Sequence, residues 1–67
     1  MEHQLKGEFI ELIKLLKFRG IASTGGEAKI FVDEGEVLVN GKVEHRKRYK
    51  VKKGDKIEAR GEVITVI

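Results

Sequence analysis

The segment from Lys42 to Lys56 concentrates the positive charge of this 67-residue chain. It holds eight basic residues and two acidic ones, a net charge of +6, whereas the remainder holds six basic residues and nine acidic ones. Clustered charge of one sign attracts the opposite charge over distances longer than a single contact. The asymmetry therefore predicts a surface that meets a polyanion, with a solvated basic loop as the alternative.

Within this segment, cations surround the only tyrosine in the run Arg46-Lys47-Arg48-Tyr49-Lys50. A short strand would direct Arg46, Arg48 and Lys50 to one side, an arrangement that suits phosphates spaced along a nucleic acid. Tyr49 would either stack on an unpaired base or cover the core with its ring, and of the two we favour the core. The three phenylalanines are assigned to the helix core, so we expect no base-stacking platform of the RNP type.

A second candidate anion site is Thr24-Gly25-Gly26 at the start of a predicted helix. Residues without side chains let a phosphate approach the free amides at the positive end of the helix dipole. The alternative, that these glycines serve turn geometry, has equal weight, because the G-x-x-x-x-G-K-[ST] motif is absent. Lys29, one turn into the helix, would direct a cation to the same end and favours an anion contact.

The residue types for catalysis or metal binding are scarce. The chain has no cysteine, its two histidines (His3 and His45) have no partner at ligand spacing, and Ser23, the sole serine, has no neighbouring base. We therefore expect no enzyme, no cofactor, no metal and no small-molecule substrate. Lack of cysteine fits a reducing compartment, and no apolar run approaches the ~20 residues of a membrane span, so we expect a cytoplasmic protein without a membrane partner.

Two helices are predicted ahead of this basic segment. The first spans Glu8 to Phe18, where an apolar stripe recurs at helical spacing, and ends at Gly20. The second begins at Thr24, because Glu27 three positions later completes a capping box, and ends at Gly35. Its apolar face consists of Ala28, Phe31 and Val32. The short connection requires the two helices to be neighbours in space.

Beyond Gly35 the apolar residues alternate, which predicts strands. Val37 and Val39 lead into Asn40-Gly41, a type I′ hairpin signal, and Val43 is expected to resume the apolar face. Further strands follow around Ile57 and Val63, and His3 to Leu5 is a candidate strand. The predicted fold class is α+β, two helices packed against a small antiparallel sheet of three to five strands, in one domain spanning residues 1–67. Without crossover helices, parallel pairing is excluded.

The combined pattern resembles the S4 RNA-binding domain family, closest to its short stand-alone bacterial proteins of the YbcJ type. The resemblance rests on the stretches 20–29 and 34–44, on Arg46-Lys47-Arg48 and on Gly54-Asp55. It implies the αL motif and non-catalytic binding of structured RNA, ribosomal or transfer RNA, through two helices and a hairpin. The family's phosphate-contacting arginine maps onto Lys29, and its V-N-G hairpin maps onto Val39-Asn40-Gly41.

Together, the charge pattern and the resemblance predict a set of RNA-binding residues contacting mainly phosphates. The set comprises Lys17, Arg19, Thr24, Gly25, Gly26, Lys29, Asn40, Lys42, Arg46, Lys47, Arg48 and Lys50. Ribosomal or RNA-processing proteins are candidate further partners. The alternative function is a protein-interaction module that docks on an acidic partner in a ribosome-associated complex. DNA reading is disfavoured, because Lys29 is the only basic residue of the second helix.

Overall fold

The computed structural model describes residues 1–67 and contains two short helices and seven short strands. Helix α1 spans Leu12–Phe18 and α2 spans Gly25–Asp33. The strands are β1 (Glu2–His3), β2 (Ile10–Glu11), β3 (Val37–Val39), β4 (Lys42–Val43), β5 (Lys50–Val51), β6 (Lys56–Ala59) and β7 (Glu62–Val66). Neither helix is long and apolar enough to cross a membrane.

Five of the strands form one sheet in the order β1-β7-β6-β3-β4, while β2 and β5 pair separately as an antiparallel ribbon. The predicted class, two helices packed against a small sheet, is confirmed. The exclusion of parallel pairing was wrong, because β1 runs parallel to β7 and makes the sheet mixed. A crossover helix is needed only between parallel strands adjacent in sequence, whereas the β1–β7 connection is the whole intervening chain.

The core lies between the helices and the inner face of the sheet. Fifteen apolar residues are buried there, including Leu12, Leu15 and Leu16 of α1 and the expected Ala28, Phe31 and Val32 of α2. Val43, expected on this face, is instead exposed. It pairs with Leu38, which lies between the inward-facing Val37 and Val39, and directly paired residues point to the same side of a sheet.

Helix α1 begins four residues later than the predicted Glu8. Ile10 and Glu11 pair with β5 as strand β2, and Phe9, expected in the helix core, is 42% exposed. The first amides of the helix, those of Leu12 and Ile13, donate to the carbonyl oxygens of Tyr49 (2.9 Å) and Lys47 (3.2 Å). A distant segment therefore caps α1, since Glu11 at the N-cap position makes no side-chain capping bond.

The local predictions around α2 and the hairpin are confirmed. The Glu27 amide donates to Thr24 Oγ1 (3.0 Å), and the Glu27 carboxylate accepts from the Ser23 amide (2.7 Å). Asn40 and Gly41 have φ values of 52° and 85°, the left-handed pair that a type I′ turn requires. Each of these features depends only on residues adjacent in sequence.

Candidate nucleic-acid interface

The segment from Arg46 to Tyr49 forms a turn and not the predicted strand. The Tyr49 amide donates to the Arg46 carbonyl oxygen (3.1 Å), and regular strand pairing begins only at Lys50. The carbonyl groups that a strand would present to a sheet are used at Lys47 and Tyr49 to cap α1. The turn thereby attaches the most basic part of the chain rigidly to the start of a helix.

This turn and β5 surround an open depression with a volume of about 520 Å³, which we term the basic depression. It is lined by Arg46, Arg48, Tyr49, Lys50 and Lys52. Four of the five lining side chains are cations, and none is acidic. Arg46, Arg48 and Lys50 therefore lie on one side, as predicted, although a turn and not a strand brings them together. Lys52 also lines the depression but was not among the predicted RNA-binding residues, although it belongs to the same basic segment.

Tyr49 anchors the depression to the core, as favoured from the sequence. Its half-buried ring packs against the core, and its hydroxyl donates to Asp55 Oδ2 (3.3 Å). Burial, together with the neighbouring Asp55 carboxylate, raises the pKa of the Tyr49 phenol. The ring is thus a neutral wall of the site, covered in part by the Arg46 guanidinium 5.0 Å from its centroid.

Two of the predicted cations are already neutralised by carboxylates. Arg46 donates to both carboxylate oxygens of Glu44 (2.9 and 3.0 Å), and these hydrogen bonds lower the pKa of Glu44 to about 2. Lys47 Nζ lies 3.2 Å from Asp33 Oδ1. An RNA phosphate would have to compete with these carboxylates, which lowers the gain from either contact.

The remaining cations of the depression are Arg48, Lys50 and Lys52, and none of them forms an ion pair. All three are exposed. Lys50 additionally places its ammonium 4.9 Å from the centroid of the Phe9 ring, a cation–π contact that orients the side chain. Unpaired and exposed, these three side chains are the cations of the depression that are most available to phosphates.

Other predicted contacts lie outside the basic depression. Lys17 on α1, Lys29 on α2 and Lys42 on β4 are exposed and form no ion pairs. Their contact with RNA stays a prediction.

Asn40 has a structural use that the sequence did not reveal. Its Nδ2 donates to Asp55 Oδ1 (3.0 Å), and its Oδ1 accepts from the Lys56 amide (2.9 Å). The side chain thereby joins the hairpin to the turn before β6. Thr24 likewise uses its hydroxyl oxygen as a helix cap. Whether either residue also contacts RNA stays a prediction.

The glycine pair at the start of α2 is not required by turn geometry or by packing. Neither Gly25 nor Gly26 has a positive φ. A Cβ atom at Gly25 would meet no heavy atom within 4 Å, and one at Gly26 would meet only Thr24 Oγ1 at 3.8 Å. Amides this early in a helix have no intrahelical acceptor. Turn geometry and packing therefore give no reason for these glycines, and close approach of a ligand stays a prediction.

Arg19 lies just after the end of α1, where it contacts His3 and Phe18. Its Nε donates to Nδ1 of His3 (2.9 Å), a side chain that is only 6% exposed. Burial, and then the charge of Arg19, lower the pKa of His3, and this shift favours the neutral imidazole that accepts the hydrogen bond at Nδ1. Phe18, assigned to the helix core from the sequence, is 70% exposed, and its ring lies 5.3 Å below the Arg19 guanidinium.

Helical geometry alone does not predict the exposure of Phe18. At about 100° per residue, Phe18 lies about 60° from the fully buried Leu15 and about 160° from Leu16, at the border of the apolar stripe. The exposure of Phe9 likewise had no local signal, because it depends on the distant pairing of β2 with β5.

Two helices packed on a small mixed sheet are the architecture of αL-motif proteins. The solution structure of YbcJ from Escherichia coli, described as an αL motif involved in RNA binding, superimposes with a TM-score of 0.75 at 39% identity. The match covers 98% of this chain and 85% of YbcJ. The chain belongs to the S4 domain family, whose sequence model matches residues 3–67.

Two curated relatives share most of their length with this chain. The "Putative RNA-binding protein YbcJ" of Escherichia coli (strain K12) is 40% identical over 62 residues, 92% of this chain and 89% of the relative. The "Probable ribosome maturation protein RlbA" of Bacillus subtilis (strain 168) is 41% identical over 54 residues, 81% of this chain and 76% of the relative.

Proposed function

We propose that this protein is a non-catalytic cytoplasmic module that binds structured RNA by its phosphates. The observation that carries the proposal is the basic depression, in which Arg48, Lys50 and Lys52 face no carboxylate partner. Phosphate contacts from such side chains provide affinity and register without reading base sequence. The protein would recognise the structured RNA by the spacing of its backbone phosphates.

RNA is favoured over DNA by the chemistry of the helices. A major-groove reader needs a recognition helix with polar and basic side chains, whereas α2 carries Glu27 and Asp33 and only one cation, Lys29. A-form RNA presents its phosphates and 2′-hydroxyls across a shallow minor groove, which a small basic surface can contact. The name of the Escherichia coli relative supports RNA as the ligand, and the name of the Bacillus subtilis relative supports a role in ribosome maturation. Ribosomal RNA is therefore the ligand that we propose.

The dependence of affinity on salt tests this proposal directly. If about five phosphates are neutralised, the logarithm of the association constant should fall against the logarithm of salt concentration with a slope near −3.5 to −4.5. Titration of a labelled RNA hairpin between 50 and 300 mM salt would measure this slope. A slope close to zero would contradict the proposal.

An acidic protein partner is the alternative outcome. Retention of partners from a cell extract by the immobilised protein would then persist after nuclease treatment of the extract. RNA binding instead predicts that ribonuclease releases the bound material, while a deoxyribonuclease control does not.

The Gly25-Gly26 pair provides a prediction in which stability and affinity change in opposite directions. Replacing either glycine by alanine should raise the free energy of unfolding by up to about 0.4–1 kcal/mol, because the position is sterically open and alanine restricts the unfolded chain. The same methyl group should weaken RNA binding, since it would stand between the free amides and a phosphate. Urea denaturation and RNA titration of each variant would measure both effects.

A Thr24→Ala variant calibrates the stability measurement for this pair, because it removes the helix cap and should lower stability by about 1 kcal/mol, opposite in sign to the glycine variants. Glycine variants that gain stability and bind RNA like the wild type would show that no ligand approaches this helix end.

A further inference from the structure

A second groove, with a volume of about 430 Å³, lies between the N-terminal segment and α1. Unlike the basic depression, it is half apolar: four of its eight lining residues are hydrophobic, two of them the exposed Phe9 and Phe18. Lys6 and Arg19 supply two cations. We term this feature the aromatic groove.

The side chains of the aromatic groove match the chemistry of a nucleotide. Flat, exposed rings stack on nucleobases, and neighbouring cations contact the adjoining phosphate. The 70% exposure of Phe18 leaves a large ring surface in contact with water. No carboxylate lines the groove, so nothing in it repels a phosphate.

Arg19 is fixed in position by the buried His3. Because Nε of Arg19 donates to His3 Nδ1, the guanidinium is fixed close to the Phe18 ring without a carboxylate neutralising it. The ring of His3 itself lies edge-on to Phe18 with centroids 5.6 Å apart. The three side chains are held together before a ligand binds, so binding would require little loss of side-chain entropy.

The two grooves adjoin each other. Phe9 lines the aromatic groove and Lys50 lines the basic depression, and the ammonium of Lys50 lies 4.9 Å from the centroid of the Phe9 ring. A single RNA chain held in the basic depression can therefore continue into the aromatic groove.

We propose that the aromatic groove holds one unpaired nucleobase of the RNA, stacked on Phe18, with the adjoining phosphate contacted by Arg19 and Lys6. The inference rests on the proposed function and specifies its ligand: a structured RNA that carries an extruded base next to a paired stem. Stacking is tolerant of base identity, so the groove selects for an unpaired base more than for its sequence.

Two RNA hairpins that differ only at one nucleotide test this inference. One carries a single bulged adenosine in its stem, and the other carries an abasic nucleotide at the same place, so both have the same number of phosphates. The wild type should bind the bulged hairpin about 5- to 150-fold more tightly, the range that one stacked base contributes. Phe18→Ala should lose most of this preference and retain both the affinity for the abasic hairpin and the salt slope.

Two further variants control for folding and for the aromatic surface. Phe18→Trp keeps a stacking ring and should retain the preference, and Val63→Ala removes an exposed apolar side chain from β7 and should leave it unchanged. Equal affinity of the wild type for the two hairpins, or an unchanged preference in Phe18→Ala, would overturn this inference while leaving phosphate binding intact. Binding of neither hairpin at low salt would overturn the proposed function as well.

Discussion

Replacing Arg48, Lys50 and Lys52 together by alanine is expected to weaken binding of structured RNA about 50- to 150-fold at 0.15 M salt. Each phosphate contact contributes roughly 0.7 to 0.9 to the slope of log affinity against log salt, so the slope should become shallower by about 2 to 3 units. The three side chains are exposed and form no ion pair, so their loss should leave the fold unchanged. Salt titrations of wild type and variant would measure both changes.

A variant with the same loss of net charge separates this surface from a general electrostatic effect. Lys14, Lys56 and Arg60 lie outside the basic depression, and two of them are already ion-paired, with Glu11 and Glu36. Their replacement by alanine should leave most of the affinity and the slope in place. If the two triple variants bind RNA equally weakly, the depression is not the binding surface.

The sequence favoured Arg46-Lys47-Arg48 as the main source of RNA affinity, whereas the structure favours Arg48, Lys50 and Lys52. Arg46 and Lys47 form ion pairs with Glu44 and Asp33, whereas the side chains of Lys50 and Lys52 form no ion pair. Spacing along the chain could identify the basic segment but not the carboxylates that fold back onto it.

The largest loss of stability is expected from Leu16→Ala. Leu16 is fully buried, and its carbonyl oxygen accepts from the amides of Ile21 and Ala22 in the connection to α2. Truncating a buried leucine costs about 2–5 kcal/mol, and the core of a domain this small rarely supplies more than about 3–5 kcal/mol. A large fraction of the variant should therefore be unfolded at 25 °C, which urea denaturation followed by circular dichroism would show.

Ile30→Ala is the matched control for this variant. Ile30 lies on α2 but is 57% exposed, so its truncation should change the free energy of unfolding by no more than about 0.5 kcal/mol. A Leu16→Ala variant as stable as the control would mean that the helices do not pack on the sheet as described.

The correct predictions share a physical basis. The capping box at Thr24 and Glu27, the left-handed Asn40-Gly41 turn and the apolar face of α2 each depend on residues within one turn or one hairpin. Such features form for local steric and hydrogen-bonding reasons, so spacing predicts them. The class of fold followed from their order along the chain, and the resemblance to S4 domains followed from the residues of these stretches themselves.

Two of the incorrect predictions involve distant partners. Helix α1 begins at Leu12 because carbonyl groups more than thirty residues away accept from its first amides, and this same contact turns Arg46 to Tyr49 away from strand geometry. In these cases the local sequence permits two conformations, and a long-range hydrogen bond selects one of them. The error at Val43 is local, because its partner Leu38 lies in the same hairpin and the turn at Asn40-Gly41 already sets this register.

Sequence alone determined that this chain carries a concentrated positive charge on a small helix-and-sheet scaffold, since composition and periodicity suffice for both. Only the tertiary structure decided which cations remain unpaired and which aromatic rings remain exposed, because carboxylates, amides and rings from separate elements compete for the same side chains. That competition left Arg48, Lys50 and Lys52 without carboxylate partners and Phe18 in solvent beside Arg19.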